Sequence, residues 1–278
     1  MTQQNLFLGI DCGTQCTKAI VLDAASGKVL GLGAAAHTLI SGANGRREQD
    51  PQEWLDAFTA ATHRALQQAG VDGQAILGIG VSGQQHGLVL LDDSGQVLRP
   101  AKLWCDTETT AENERLLQHL GGESGSLERL GVAIAPGYTV SKLLWTREQH
   151  PDVFARIAHV LLPHDYLNYW LTGRAVAEYG DASGTGYFDV RSRTWDVALL
   201  KHIDPSGRLE AALPHLIEAD QAVGTILPAI AERLGINPNA IVASGGGDNM
   251  MGAIGTGNIA PGVGQVHGAD QWQPTAAG

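Results

Sequence analysis

Positions 11–18 of the chain read Asp-Cys-Gly-Thr-Gln-Cys-Thr-Lys. A carboxylate, a glycine, two hydroxyls and an ammonium this close together suit a polyphosphate. Gly13 lets the backbone approach an anion with no Cβ in the way. Thr14 and Thr17 add hydroxyl donors, and Lys18 adds a cation. Asp11 alone would repel phosphate, but it can hold hydrated Mg2+, a hard cation that favours carboxylate oxygen. The competing reading is an ordinary hairpin turn, where Asp and Gly are common. The segment is not a helix-opening P-loop, because Gly-Lys-Ser/Thr and a following helix are both missing.

A second cluster, Gly245-Gly246-Gly247-Asp248-Asn249, joins bare backbone to a carboxylate. A sugar hydroxyl can approach such a backbone, and Asp248 can accept its proton. An alcohol is too weak an acid to lose that proton beforehand. Phosphoryl transfer has a loose transition state, so the proton can pass late. The alternative is a plain helix N-cap. A third cluster, Ser82-Gly83-Gln84-Gln85-His86-Gly87, offers the donors and acceptors that suit a polyol, or is a polar loop with a satisfied histidine. Trp104, Asp106, His164 and Asp165 are further candidates, each also explained by packing or capping.

These clusters need strands that deliver them to a common edge. Apolar runs at 6–10, 18–23 and 28–36, with turn signals between them, predict a three-stranded meander. Asp50 as N-cap, Pro51 at the first helical position and Glu53 for a capping box predict a helix over 51–69, ended by Gly70. Strands at 76–81 and 88–91 put the third cluster just after a buried strand, where ligand sites of open α/β sheets gather. The order strand, strand, strand, helix, strand, strand predicts an α/β domain with a mixed five-stranded sheet. Helices are expected over 107–120, over most of 141–171 and over 229–234, with a flexible break at 121–126. A buried strand at 241–243 leads into the glycine run, which opens a helix reaching about residue 257.

Composition narrows the function classes. The 278 residues, 44% hydrophobic and 17% charged, are globular and long enough for a large core. The 36 glycines are about twice the usual ~7% share, which predicts loops for tight turning or close ligand approach. A net charge of -11 argues against nucleic acid and acidic membranes as partners. It leaves a phosphate substrate open, since Mg2+ can carry the positive charge. Cys12, Cys16 and Cys105 suit a reducing cytosol and lack the histidines of a zinc site. The N-terminus lacks a signal-peptide pattern, and no stretch approaches the roughly 20 apolar residues of a membrane span. A soluble, cytoplasmic protein is expected, with a homodimer left open.

In order along the chain stand Asp-x-Gly-Thr at 11–14, Gly-Gln-x-His-Gly at 83–87, Leu-Trp-Cys-Asp at 103–106, Leu-Leu-Pro-His-Asp-Tyr-Leu at 161–167 and Gly-Gly-Gly-Asp-Asn at 245–249. Together they resemble the FGGY carbohydrate kinase family over about residues 6–262, and most closely its xylulose kinase branch. The resemblance implies a ribonuclease H-like domain of the actin and hexokinase ATPase type, with helical insertions. It implies transfer of the ATP γ-phosphoryl group to the terminal hydroxyl of D-xylulose. Asp248 then resembles the catalytic base, and Asp11 the carboxylate needed near Mg2+. Gly13, Thr14, Thr17 and Lys18 lie beside the ATP phosphates. Gln85, His86, Trp104 and Asn249 resemble the sugar contacts, although the family often has Met where this chain has Gln85. That departure leaves ribulose, glycerol or gluconate as alternative substrates.

Family members run to nearly twice this length and carry a second phosphate loop of Gly-Thr-Ser-Gly type. No such loop is visible in 263–278. The expected organisation is a sugar-binding kinase domain over 1–262 and an atypical tail over 263–278 in place of the ATP-binding half. Such a chain would have little or no catalysis alone, and a non-catalytic sugar-binding module is the alternative.

Overall fold

The computed structural model describes residues 5–259. Expectations for 260–278, the tail included, lie outside the described residues. The spine is a seven-stranded mixed sheet. Its first three strands are the meander: β1 (Leu6–Cys12), β2 (Cys16–Asp23) and β3 (Lys28–Ala36), each antiparallel to the next. Along β1 every second side chain is buried, so Leu6, Leu8, Ile10 and Cys12 face one core.

Helix α1 (Pro51–Ala69) covers that face. Asp50 caps it by accepting from the Gln52 N–H, and Gly70 closes it with a left-handed φ of 63°. Glu53 does not form the expected capping box; its carboxylate accepts from the Thr38 N–H at 2.6 Å and ties the chain leaving β3 to α1. The helix lies directly on the backbone of β3. A Cβ at Gly33 would sit 2.0 Å from the Ala61 carbonyl oxygen, so these positions need glycine for contact.

The remaining strands correct the five-stranded expectation. Ile76–Gly83 runs parallel to β1, and Ile241–Ala243 and Gly246–Gly247 run parallel to Ile76–Gly83. Ala222–Thr225 forms the antiparallel edge. The predicted strand at 88–91 is real but elsewhere: Val89–Leu91 pairs with His159–Leu161 in a two-stranded sheet. A short run buried on both sides reads alike in any sheet. What redirects it is His86, whose φ of 61° turns the chain away from the main sheet.

Between these strands lies a helical insertion, chiefly Thr110–Leu120, Gly122–Leu130, Thr139–Gln149 and Pro163–Thr172. Its first three helices close over a second core that includes Leu116, Leu130, Leu143 and Tyr187. The break expected at 121–126 is confined to its start: Gly121 and Gly122, at φ 88° and 82°, turn the chain and the helix Gly122–Leu130 begins there.

Candidate active site

Strand register builds the mouth of the site. Asp11 of β1 stands beside Ser82, and Ser82 beside Gly246, in one row across three parallel strands. One step further, Cys12, Gly83 and Gly247 form the next row. Two strand spacings of about 4.8 Å put the Asp11 backbone about 10 Å from that of Gly246. This is the C-terminal edge of the parallel strands, where open α/β sheets place ligands. Asp11 and Asp248 both act on the Cys12 thiol lying between them, whose pKa burial and these carboxylates raise to about 12. Cys12 is therefore an inert thiol.

The 11–18 segment is a hairpin, and this corrects part of its expected role. Asp11 pairs directly with Lys18 across the ladder, leaving only residues 13–15 as turn. The Gly13 N–H closes that turn on the Cys16 carbonyl at 3.1 Å, so it is not a spare anion donor. Thr17 is fully buried, and its hydroxyl pairs with His37 Nε2 at 2.8 Å, so the structure does not bring it to the mouth. Asp11 and Lys18 do reach the open face, with the Lys18 ammonium 3.5 Å from the carboxylate. Ser82 Oγ donates to the other carboxylate oxygen at 3.2 Å. Thr14 is anchored from both sides: the Trp104 Nε1–H donates to its hydroxyl at 3.0 Å, and its carbonyl accepts from Gln49 Nε2 at 2.6 Å. Gln49 in turn accepts from buried Gln84 and Trp54.

Of the sugar-contact candidates, Gln85 with its neighbour His86 meets Asn249, whereas Trp104 stands on Thr14. Asn249 Nδ2 donates to Gln85 Oε1 at 3.0 Å, joining the second and third clusters although they are far apart in sequence. Gly247 makes this approach feasible, since a Cβ there would lie 2.6 Å from Gln85 Nε2. Asp248 opens the helix Asp248–Gly255, and its carboxylate accepts from the Asn249 N–H at 2.8 Å. His86 Nδ1 lies 2.8 Å from the Gly184 carbonyl. A carbonyl can only accept, so Nδ1 carries the proton. Burial, helped by nearby Lys142, lowers the imidazole pKa, so the ring is neutral and Nε2 is left as an acceptor for a hydroxyl. Tyr138 stacks on the ring at 4.7 Å.

Several supporting residues gave no sequence signal. Lys142 is fully buried and donates to the carbonyls of His86 (2.6 Å) and Gly137. Thr139 Oγ1 adds a donor to the same His86 carbonyl, so the left-handed residue is clamped. Burial lowers the Lys142 pKa to about 7, with the Asp106 carboxylate opposing. Lys102, also fully buried, is surrounded by Glu48, Asp106 and Glu108, and its ammonium lies 4.0 Å from the Trp145 ring centre. Those three carboxylates are spaced as metal ligands would be, but Lys102 supplies the positive charge. Asp106, weighed above as a site residue, is thereby a buried structural anchor that also accepts from the Arg47 N–H. Asp165 caps its helix at the Leu162 N–H, and His164 lies behind the glycine run.

A mixed sheet whose parallel strands end in two acidic, glycine-lined loops is the fold of the actin and hexokinase type of ATPase, here in the form used by sugar kinases. The chain belongs to the FGGY family of carbohydrate kinases: the model of that family's N-terminal domain matches residues 6–255. Among curated relatives, a xylulose kinase of Haemophilus influenzae is 53% identical over 262 residues, covering 93% of this chain and 53% of the relative. A solved xylulose kinase from Rhodospirillum rubrum aligns with a TM-score of 0.86 at 30% identity, over 93% of this chain and 52% of its own. A gluconate kinase from Lactobacillus acidophilus aligns at 0.83 and 25% identity, over 91% of this chain and 50% of its own. The chain thus spans about half the length of the relatives it matches.

Proposed function

We propose that this chain forms the sugar-binding part of a kinase that transfers the γ-phosphoryl group of ATP to the terminal hydroxyl of D-xylulose. The observation that carries the reading is the Asn249–Gln85 hydrogen bond, which sets Asp248 beside the His86 loop at one mouth. The similarity to xylulose kinases supports the choice of sugar.

In this reading Gln85, Asn249 and neutral His86 hold the sugar hydroxyls, with His86 Nε2 accepting. Asp248 receives the proton of the terminal hydroxyl as that oxygen bonds to phosphorus. The bond from the γ-phosphorus to its bridging oxygen breaks, and ADP leaves with the electron pair. Because the transition state is loose, Asp248 acts more by placing the hydroxyl than by basicity. Asp11 fits Mg2+ chemically, as an open-faced carboxylate steadied by Ser82. Mg2+ there would neutralise the phosphate charge; Thr14 and Lys18 stand beside the same face. Trp104 supports the site through Thr14. A domain over 1–262, a distinct tail over 263–278 and a cytoplasmic location belong to the same reading. Among the described residues no helix is long and apolar enough to cross a membrane.

The test is made in a chain extended by the second half of a relative. Asp248→Ala should lower ATP-dependent D-xylulose phosphorylation by roughly 10^2–10^4-fold while circular dichroism stays unchanged. Retained turnover would remove Asp248 as the base.

A further inference from the structure

Behind the glycine run lies a buried group of charges to which the reaction assigns no part. His164, Asp165 and Asp181 are each at most 1% exposed. His164 Nε2 lies 2.5 Å from the Ser244 carbonyl, the last residue before the glycines. Nδ1 faces Asp165 Oδ1 at 3.3 Å and Asp181 Oδ2 at 3.5 Å. Among the described residues, His164 Nδ1, Asp165 Oδ1 and both Asp181 oxygens find no hydrogen-bond partner outside this group. His164 is packed between two glycines, Gly83 against its backbone and Gly245 against its ring: a Cβ at Gly83 would lie 3.0 Å from the His164 backbone N, and one at Gly245 would lie 2.9 Å from Nε2.

The same group reaches the other side of the site. The Asp181 carbonyl accepts from the Gly184 N–H at 3.0 Å, and the Gly184 carbonyl accepts from His86 Nδ1. The Glu178 carboxylate caps the Gly180 and Asp181 N–H groups, and a Cβ at Gly246 would lie 3.3 Å from its Oε1. One imidazole therefore stands between the strand that delivers Asp248 and the turn that holds His86.

The Ser244 carbonyl also accepts from Asn168 Nδ2 at 2.8 Å, and that amide nitrogen lies 2.9 Å from Nε2. The 2.5 Å contact to the carbonyl is the shorter one and a carbonyl only accepts, so Nε2 carries a proton and the amide donates to the carbonyl instead. A neutral ring would then point its Nδ1 lone pair at two carboxylates, which is repulsive and uncompensated by water. We propose that His164 is a doubly protonated positioning residue, an imidazolium that ties the Asp248 glycine loop to the His86 turn. The role in sugar binding rests on the function proposed above; the protonation state does not. Burial alone would lower the His164 pKa, but Asp165 and Asp181 outweigh it and raise it to about 10. Burial raises the carboxyl pKa of Asp165 and Asp181, and the His164 ring beside them opposes that rise. Among the other titratable groups around it, burial raises Glu178 and the Tyr187 phenol, and His86 is neutral.

The experiment uses the present chain with 15N-labelled histidine. Both His164 ring nitrogens should read as protonated at pH 8. An unprotonated Nδ1 overturns the proposal, and so does a transition metal that copurifies at one per chain and is lost on His164→Lys. His164→Lys keeps a cation and should bind D-xylulose within about threefold of wild type. His164→Gln should keep its near-ultraviolet dichroism but bind at least tenfold more weakly, and wild-type affinity in it overturns the positioning role. If wild type shows no heat with any sugar, the functional reading fails instead. Positioning is then read from hydrogen exchange, where faster exchange at residues 245–249 and 184–187 in His164→Gln is expected and unchanged exchange overturns it.

Discussion

Asp11 and His86 both lie at the C-terminal end of the Ile76–Gly83 strand but are held there by different physics. Asp11 takes its place from ladder pairing with Lys18 and Ser82, so its position follows from strand register. His86 sits in a left-handed turn that register does not favour. It is fixed by Lys142 and Thr139 on its carbonyl, Gly184 on its ring nitrogen and Tyr138 on its ring face. The first side is a product of secondary structure and the second of buried charge.

The second side should therefore respond to pH, and the largest effect expected is on stability. Lys142 titrates at about 10.5 when unfolded and about 7 when folded. Between those values the unfolded chain holds the extra proton, so this group makes stability rise with pH. His164 is the reverse, at 6.5 unfolded and about 10 folded. Its contribution is complete below pH 6.5 and is lost as pH rises through about 10. Each group supplies a slope of at most about 1.4 kcal/mol per pH unit, and in the wild type the two oppose each other. Lys142→Met should expose the His164 slope, so urea-unfolding stability falls from pH 7 to 9 more steeply than in wild type. A variant as flat as wild type would mean that the two groups are not shifted in opposite directions.

Effects on the first side should be smaller. Trp104→Phe removes the indole donor to Thr14, at about 1 kcal/mol. D-xylulose affinity should weaken by no more than about tenfold, and a complete loss would make Trp104 a sugar contact rather than a support. Smallest is Lys18→Met. The Lys18–Asp11 pair is 3.5 Å long and about half exposed on both partners, so stability should change by less than ~0.5 kcal/mol. A larger loss would mean that this side also depends on charge.

Legibility in the sequence divides along the same line. The meander, α1 with its Asp50 cap, and the ends at Asp11 and Asp248 follow from alternation, capping and glycine placement, which are local. The hairpin character of 11–18 was partly hidden, because a strand pair and a phosphate loop use the same Asp, Gly and Thr. Thr17 shows this: its side chain alternates inward along β2 to meet His37. The destination of 88–91 was not legible, since its partner lies at His159–Leu161. Lys142, Lys102 and Asp181 carried no signal either. A lysine or aspartate normally reads as surface, and only the fold shows that these are enclosed.

The most direct test is calorimetric titration of D-xylulose, L-ribulose, glycerol and gluconate into this chain, with Gln85→Ala as control. Saturable heat is expected with D-xylulose, with weaker binding of the other three and a loss of at least tenfold in affinity in Gln85→Ala. Clear heat with glycerol or gluconate and none with D-xylulose would contradict it.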